Sequence, residues 1–198
     1  MASIFQILGV LLSLAASGYS LLCTECSSSS DSCTGPSVTC PDGSVCGAIY
    51  TEGRVSGKIF FQSYKMACVT QEECDITGSG TIPQNAKIKM GRSCCETDEC
   101  TPPTPSLPKD SSVYNGVKCP ACISTDSAYC YSSNKIKCTG DEDKCFLQAT
   151  ETTGQKTKYT AVRGCATKSV CDLGSRSFSS ADEKSYNYVI CSSRRTRK

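Results

Sequence analysis

Histidine is absent from this 198-residue chain, and so is tryptophan. Without an imidazole there is no Ser-His-Asp or Cys-His catalysis, no histidine-bearing zinc site and no usual proton carrier near neutral pH. Phosphate-binding loops and dinucleotide glycine fingerprints are missing too. The expectation is a protein that is not an enzyme and carries no cofactor. Asn85, Asn115, Asn134 and Asn187 each lack a Ser or Thr two positions on, which leaves no acceptor for N-linked glycan. Net charge is only +2, which argues against nucleic acid as a partner. Apolar residues, cysteine included, make up 38% of the chain, so two domains of this size bury only small cores.

Long apolar runs are scarce. Residues 4–16 form an uncharged apolar stretch, followed by the small residues Ser17, Gly18 and Ser20. The stretch is too short to span a bilayer and reads as a secretory signal peptide over residues 1–20. No Lys or Arg precedes it, and a buried N-terminal helix is the competing reading. Nothing further on is apolar enough to cross a membrane. Residues 192–198 end on Arg194, Arg195, Arg197 and Lys198, where a glycolipid anchor needs a hydrophobic tail. The expected product is soluble, secreted and unanchored. Its basic tail reads as a solubilising one, with anionic lipid or polysaccharide as the other reading.

Cysteine is what the chain has in abundance, with 18 residues. In an oxidising compartment that density marks a disulfide scaffold. The spacings repeat. The first ladder is Cys23-x2-Cys26-x6-Cys33-x6-Cys40-x5-Cys46-x21-Cys68-x5-Cys74-x19-Cys94-Cys95-x4-Cys100. The second is Cys119-x2-Cys122-x7-Cys130-x7-Cys138-x6-Cys145-x19-Cys165-x5-Cys171-x19-Cys191. Eight positions match, and no gap between them differs by more than two residues. Cys95 and Cys100 have no counterparts and are best paired with each other. The two copies define domains over residues 21–101, with ten cysteines, and 119–191, with eight. Residues 102–118 hold Pro102, Pro103, Pro105 and Pro108 and read as a semi-rigid, extended linker.

Within each copy the long gaps look like β-hairpins. Residues 45–50 and 58–66 are β-branched and aromatic, and they flank a turn-like segment at 52–57. Residues 146–152 and 158–162 do the same around 153–156, and 86–90 and 186–190 alternate as strands. No amphipathic helix is evident after the leader.

This ladder, with its vicinal Cys94-Cys95 and closing Cys100, resembles the three-finger domain of the urokinase-receptor and lymphocyte-antigen family. Asn115-Gly116-Val117-Lys118-Cys119-Pro120-Ala121-Cys122 is similar to the opening of the second domain in two-domain secreted members. Cys138-Thr139-Gly140-Asp141-Glu142-Asp143-Lys144-Cys145 is similar to their Cys-x-Gly-x-Glu-x-x-Cys segment. Thr101 stands where members usually carry Asn. The whole layout resembles the gamma-type phospholipase A2 inhibitors and their relatives, including the amphibian sodefrin-precursor-like proteins. The resemblance implies a small all-β, disulfide-rich fold of two tandem three-finger, snake-toxin-like domains. It implies the pairing Cys23–Cys46, Cys26–Cys33, Cys40–Cys68, Cys74–Cys94 and Cys95–Cys100. In the second domain it implies Cys119–Cys145, Cys122–Cys130, Cys138–Cys165 and Cys171–Cys191; eight cysteines alone allow 105 connectivities.

Function is then expected on exposed loops held by a rigid scaffold. Residues 21–101 carry six Lys/Arg against ten Asp/Glu, and residues 102–198 carry fifteen against nine. Such opposed charge could steer partners, pair copies head to tail in a homo- or hetero-oligomer, or simply solubilise. Both Cys-x2-Cys pairs match zinc-ribbon and redox patterns, but in a secreted chain they read as structural disulfides, with no metal expected. The acidic Asp141-Glu142-Asp143 reads as a solvated loop in preference to a cation site. Tyr129 and Tyr131 read as packing residues. Ile59, Phe60, Phe61 and Tyr64 are the candidate partner-binding residues. Phe60 and Tyr64 share one strand parity and Ile59 and Phe61 the other, so one set is expected to be exposed; cross-strand aromatic pairs also cover such sheets without binding anything. The leading expectation is inhibition of a secreted phospholipase A2 by protein–protein occlusion of its lipid-facing surface. The alternatives are a secreted signalling ligand, pheromone-like or acting on a cell-surface receptor, and a structural mucosal protein.

Overall fold

The computed structural model describes residues 20–179 and 184–192. The apolar leader, apart from Ser20, and the basic tail, apart from Ser192, lie outside them. Strands dominate both halves, as β-branched and aromatic residues in alternating runs dictate.

In the first half, β1 (Leu22–Thr24) pairs with β3 (Ser37–Thr39), and β2 (Cys26–Ser28) lies against the edge of the central sheet. The central hairpin is β4 (Ser44–Val55) and β5 (Lys58–Thr70). Its turn is only Ser56 and Gly57, at φ +50° and +80°. Two successive positive φ values give the turn whose twist matches the strands it joins. Residues 52–55, read as turn from sequence, therefore belong to the strand. Next come β6 (Thr77–Ile82) and β7 (Ala86–Cys95), with β7 returning to pair along β4.

The second half repeats the plan. The strands β8 (Tyr114–Pro120) and β10 (Lys135–Thr139) pair, and β9 (Cys122–Ser124) flanks the main sheet. That sheet is built from β11 (Lys144–Thr153), β12 (Lys158–Ala166), β13 (Arg176–Ser179) and β14 (Lys184–Ser192). Where sequence periodicity shows no helix, the structure has a short one, α1 (Lys168–Asp172), and two single 3-10 turns at Gln71–Glu73 and Pro83–Asn85.

All eighteen cysteines are bonded. The first half holds Cys23–Cys46, Cys26–Cys33, Cys40–Cys68, Cys74–Cys94 and Cys95–Cys100. The second holds Cys119–Cys145, Cys122–Cys130, Cys138–Cys165 and Cys171–Cys191. Sulfur fills the space that larger side chains fill elsewhere: Cys23, Cys40 and Cys46 form one buried cluster, and Cys119, Cys138, Cys145 and Cys165 another. Each bridge contributes about 2–4 kcal/mol by restricting the unfolded chain.

The halves are not separate beads. The outer edge of β6 pairs with β12, Thr81 opposite Cys165 and Gly80 opposite Ala166, giving one ten-stranded sheet. Pairing removes two exposed strand edges at once. Ile82 and Ala86 from the first half and Phe146 and Ala166 from the second share one buried cluster. The proline-rich segment lies against β7, with Pro102 and Pro105 buried and the Ser93 hydroxyl donating to the Pro103 carbonyl.

Candidate protein-binding site

The tip of the β4–β5 hairpin presents three consecutive apolar side chains to solvent. Ile59 is 47% exposed, Phe60 58% and Phe61 46%. Nothing about a hairpin requires this; a small sheet gains by covering such groups. Parity is broken here by a bulge. Gly53 pairs with Phe61 and Arg54 with Ile59, so Phe60 is an extra residue on β5. A Cβ on Gly53 would stand 2.8 Å from Cζ of Phe60, which places the Phe60 ring over the Gly53 backbone. Gly53 and its partner Phe61 share a face, so both rings sit on that face. Phe60 therefore leaves the parity of Tyr64.

Tyr64 is a correction to the sequence reading. It is 5% exposed and packs with Ala48 and Met66 against Tyr50 and the Cys26–Cys33 pair. The reason is tertiary: β2 pairs Ser28 with Tyr64 and Cys26 with Met66, and so lies alongside this part of the strand. Burial also pushes the Tyr64 hydroxyl up from its ordinary pKa. The exposed set is thus Ile59, Phe60 and Phe61.

Beside the shared apolar cluster and the β6–β12 pairing, a buried polar contact ties β6 and β7 to the second half, and the sequence reading missed it. Glu142 is 1% exposed and is not part of a solvated loop, although Asp141 and Asp143 beside it are exposed. Its carboxylate accepts hydrogen bonds from Ser79 Oγ at 2.8 Å and Thr81 Oγ1 at 2.6 Å, with Lys87 Nζ 3.6 Å away. All three partners come from the first half. A carboxylate buried with two donors and a cation is satisfied, so it is not waiting for a metal. Asn115 fixes the loop by donating from Nδ2 to the carbonyls of Gly140, at 2.8 Å, and Glu142, at 3.1 Å. The signal was present in the Asn-Gly and Cys-x-Gly-x-Glu motifs, whose residues prove to be the two sides of one clamp.

Strand β6 explains why its sequence is Thr-Gly-Ser-Gly-Thr-Ile. Ser79 and Thr81 face Glu142, while on the other side Gly78 lies against Thr167, Ser169 and Val170 and Gly80 against Cys165 and Phe146. A Cβ at Gly78 would lie 2.7 Å from Val170. Farther along the seam, Glu73 pairs with Arg92 at 2.9 Å and with Arg176 of the second half. Burial alone would raise the Glu73 carboxyl, but hydrogen bonds and charge from Arg176 and Arg92 outweigh it and hold the group below the usual carboxylate range.

Tyr129 and Tyr131 are a second correction. They are 41% and 83% exposed, with ring centroids 4.7 Å apart, and the Arg163 guanidinium lies 4.5 Å from the Tyr129 ring. They meet edge to face, with the Arg163 guanidinium over both rings, at the surface where the Cys122–Cys130 loop carries them clear of the core. Both sulfur groups with metal-like proximity, Cys23/Cys40/Cys68 and Cys119/Cys138/Cys165, consist of disulfide sulfurs, which offer no thiolate.

Two hairpin clusters with matched cysteine pairs, the first closed by a short loop after a vicinal Cys-Cys, define a tandem three-finger protein. Comparison with known proteins agrees. The chain belongs to the u-PAR/Ly-6 domain family, whose model matches residues 19–103 and again 115–197. It is similar to a gamma-type phospholipase A2 inhibitor of Gloydius brevicaudus siniticus, 27% identical over 169 residues, covering 84% of this chain and 82% of that protein. It is also similar to the phospholipase A2 inhibitor NAI of Notechis ater, 28% identical over 166 residues, covering 82% of each. Among solved structures, mouse TEX101 matches with a TM-score of 0.36 at 18% identity, covering 85% of this chain and 95% of that one.

Proposed function

We propose that the protein is an extracellular binding protein, not an enzyme, that inhibits a secreted phospholipase A2 by covering its lipid-facing surface. The observation that carries this is the exposed Ile59-Phe60-Phe61 tip on a disulfide-braced hairpin. An enzyme that works on aggregated lipid must present an apolar rim to that lipid, and an apolar tip held rigid loses little entropy on docking there. Burying the exposed half of each phenylalanine contributes on the order of 1–2 kcal/mol. The relatives named as phospholipase A2 inhibitors supply the class of partner. Nine disulfides suit an oxidising compartment, and among the described residues no helix is long and apolar enough to cross a membrane.

The test is titration of the purified protein into secreted phospholipase A2 acting on phosphatidylcholine vesicles. Turnover should fall stoichiometrically, and enzyme and protein should co-elute. If several such enzymes are neither slowed nor bound, the reading is wrong. Binding to a cell-surface receptor in their place would move the protein to the signalling class.

A further inference from the structure

The seam between the halves encloses a cleft of about 520 Å³ on the same sheet face as Phe61. That volume falls within the roughly 300–1,000 Å³ typical of small-molecule sites. Its floor includes Ile49, Met90 and Ile88 of the first half; Phe146, Val170 and Val189 of the second form its walls. Register aligns the floor. Arg92 stands opposite Ile49 at one end, and Met90 and Ile88 follow at two-residue steps along β7. From Arg92 to Ile88 the floor runs about 13 Å at ~3.3 Å per residue.

The far end from Ile88 is charged. Arg92 and Arg176 share the single carboxylate of Glu73. Arg92 is 7% exposed, and its Nε has no hydrogen-bond acceptor among the described residues. Two guanidinium groups against one carboxylate leave an excess positive charge beside an apolar trough, where charge is poorly solvated. A monoanion with a long apolar tail answers both halves of this description. A peptide answers it less well, because the backbone of β4 and β7 is already committed to pairing and a buried peptide main chain would find few partners.

We propose that the cleft holds the anion of a long-chain fatty acid, with its chain along Met90 and Ile88 and its carboxylate at Arg92 and Arg176. This goes beyond the inhibitory reading and does not rest on it. The probe is cis-parinarate, a fluorescent long-chain fatty acid, titrated into the intact protein with no enzyme present and displaced by oleate. Saturable, one-to-one binding is expected, with oleyl alcohol, which lacks the charge, at least about tenfold weaker than oleate. Arg92→Met should weaken parinarate by a similar factor. Thr51→Phe, which fills the trough and leaves every charge in place, should abolish binding even if Arg92→Met fails to fold. The proposal is overturned by absence of saturable binding, by oleyl alcohol or lysophosphatidylcholine competing as well as oleate, or by unchanged binding to folded Thr51→Phe. Parinarate binding without enzyme inhibition would sink the proposed function and leave this site standing; the converse would do the opposite.

Discussion

Thr81 Oγ1 donates to Glu142 Oε2 at 2.6 Å, across the boundary between the two disulfide-bonded halves. No bridge of sulfur crosses that boundary, so non-covalent contacts, this bond among them, decide how the halves sit together. Glu142→Ala leaves the Ser79 and Thr81 hydroxyls and the Lys87 ammonium without their shared acceptor. The expected loss is about 3 kcal/mol. It should appear as a lowered urea midpoint and faster proteolysis between residues 101 and 113, with all nine disulfides intact by mass mapping.

The seam is equally intolerant of bulk. A Cβ on Gly164 would stand 2.1 Å from the Thr81 carbonyl oxygen, a backbone atom that cannot step aside. Gly164→Ala should cost about 1–3 kcal/mol as β12 is forced off β6. Amide exchange should quicken at Gly80, Thr81 and Ala166, while β4 and β5 remain protected. Unchanged exchange would mean that the pairing is not what holds the seam.

The hairpin tip separates binding from folding. Phe60→Ser and Phe61→Ser change exposed side chains and should shift stability by no more than about 0.5–1 kcal/mol. At least one of them should weaken inhibition about tenfold or more. Tyr64→Ala should do the reverse in kind, costing about 3 kcal/mol because it empties a buried position beside Met66. Melting curves run beside inhibition assays distinguish the two. Inhibition that survives both phenylalanine changes would place the contact elsewhere.

Acid should loosen the seam. The Glu73 carboxyl titrates below its ordinary value in the folded protein because Arg176 and Arg92 more than offset its burial. A depressed carboxyl stabilises the fold above its unfolded pKa of about 4.3, and that contribution is lost as pH falls through the lower folded value. The melting temperature should therefore hold from neutrality to about pH 5 and decline below it. Glu73→Gln should flatten that decline. If the mutant and the parent fall in parallel, other carboxylates carry the acid transition.

Much of the architecture was legible before any coordinates. The repeated cysteine ladder announces two copies of one domain, and the β-branched runs at 45–50, 58–66, 146–152 and 158–162 lie within β4, β5, β11 and β12. Part of the exposed surface was legible as well: of the four candidate residues, Ile59, Phe60 and Phe61 are exposed, as a core too small to take every apolar group on β5 implies. The burial of Tyr64 was not legible, because parity assumes an unbroken strand. The extra residue at Phe60 breaks the alternation, and β2 then lies against one side.

What the sequence determined by itself is local and covalent: which runs of residues extend and how many sulfurs each half contains. Only the tertiary structure decided that β6 and β12 join edge to edge, that Glu142 is buried while Asp141 and Asp143 are not, and that a cleft opens between the halves. The reason is physical. Strand period and cysteine spacing depend on neighbours along the chain, whereas burial depends on what arrives from more than sixty residues away, as Ser79 and Thr81 do for Glu142.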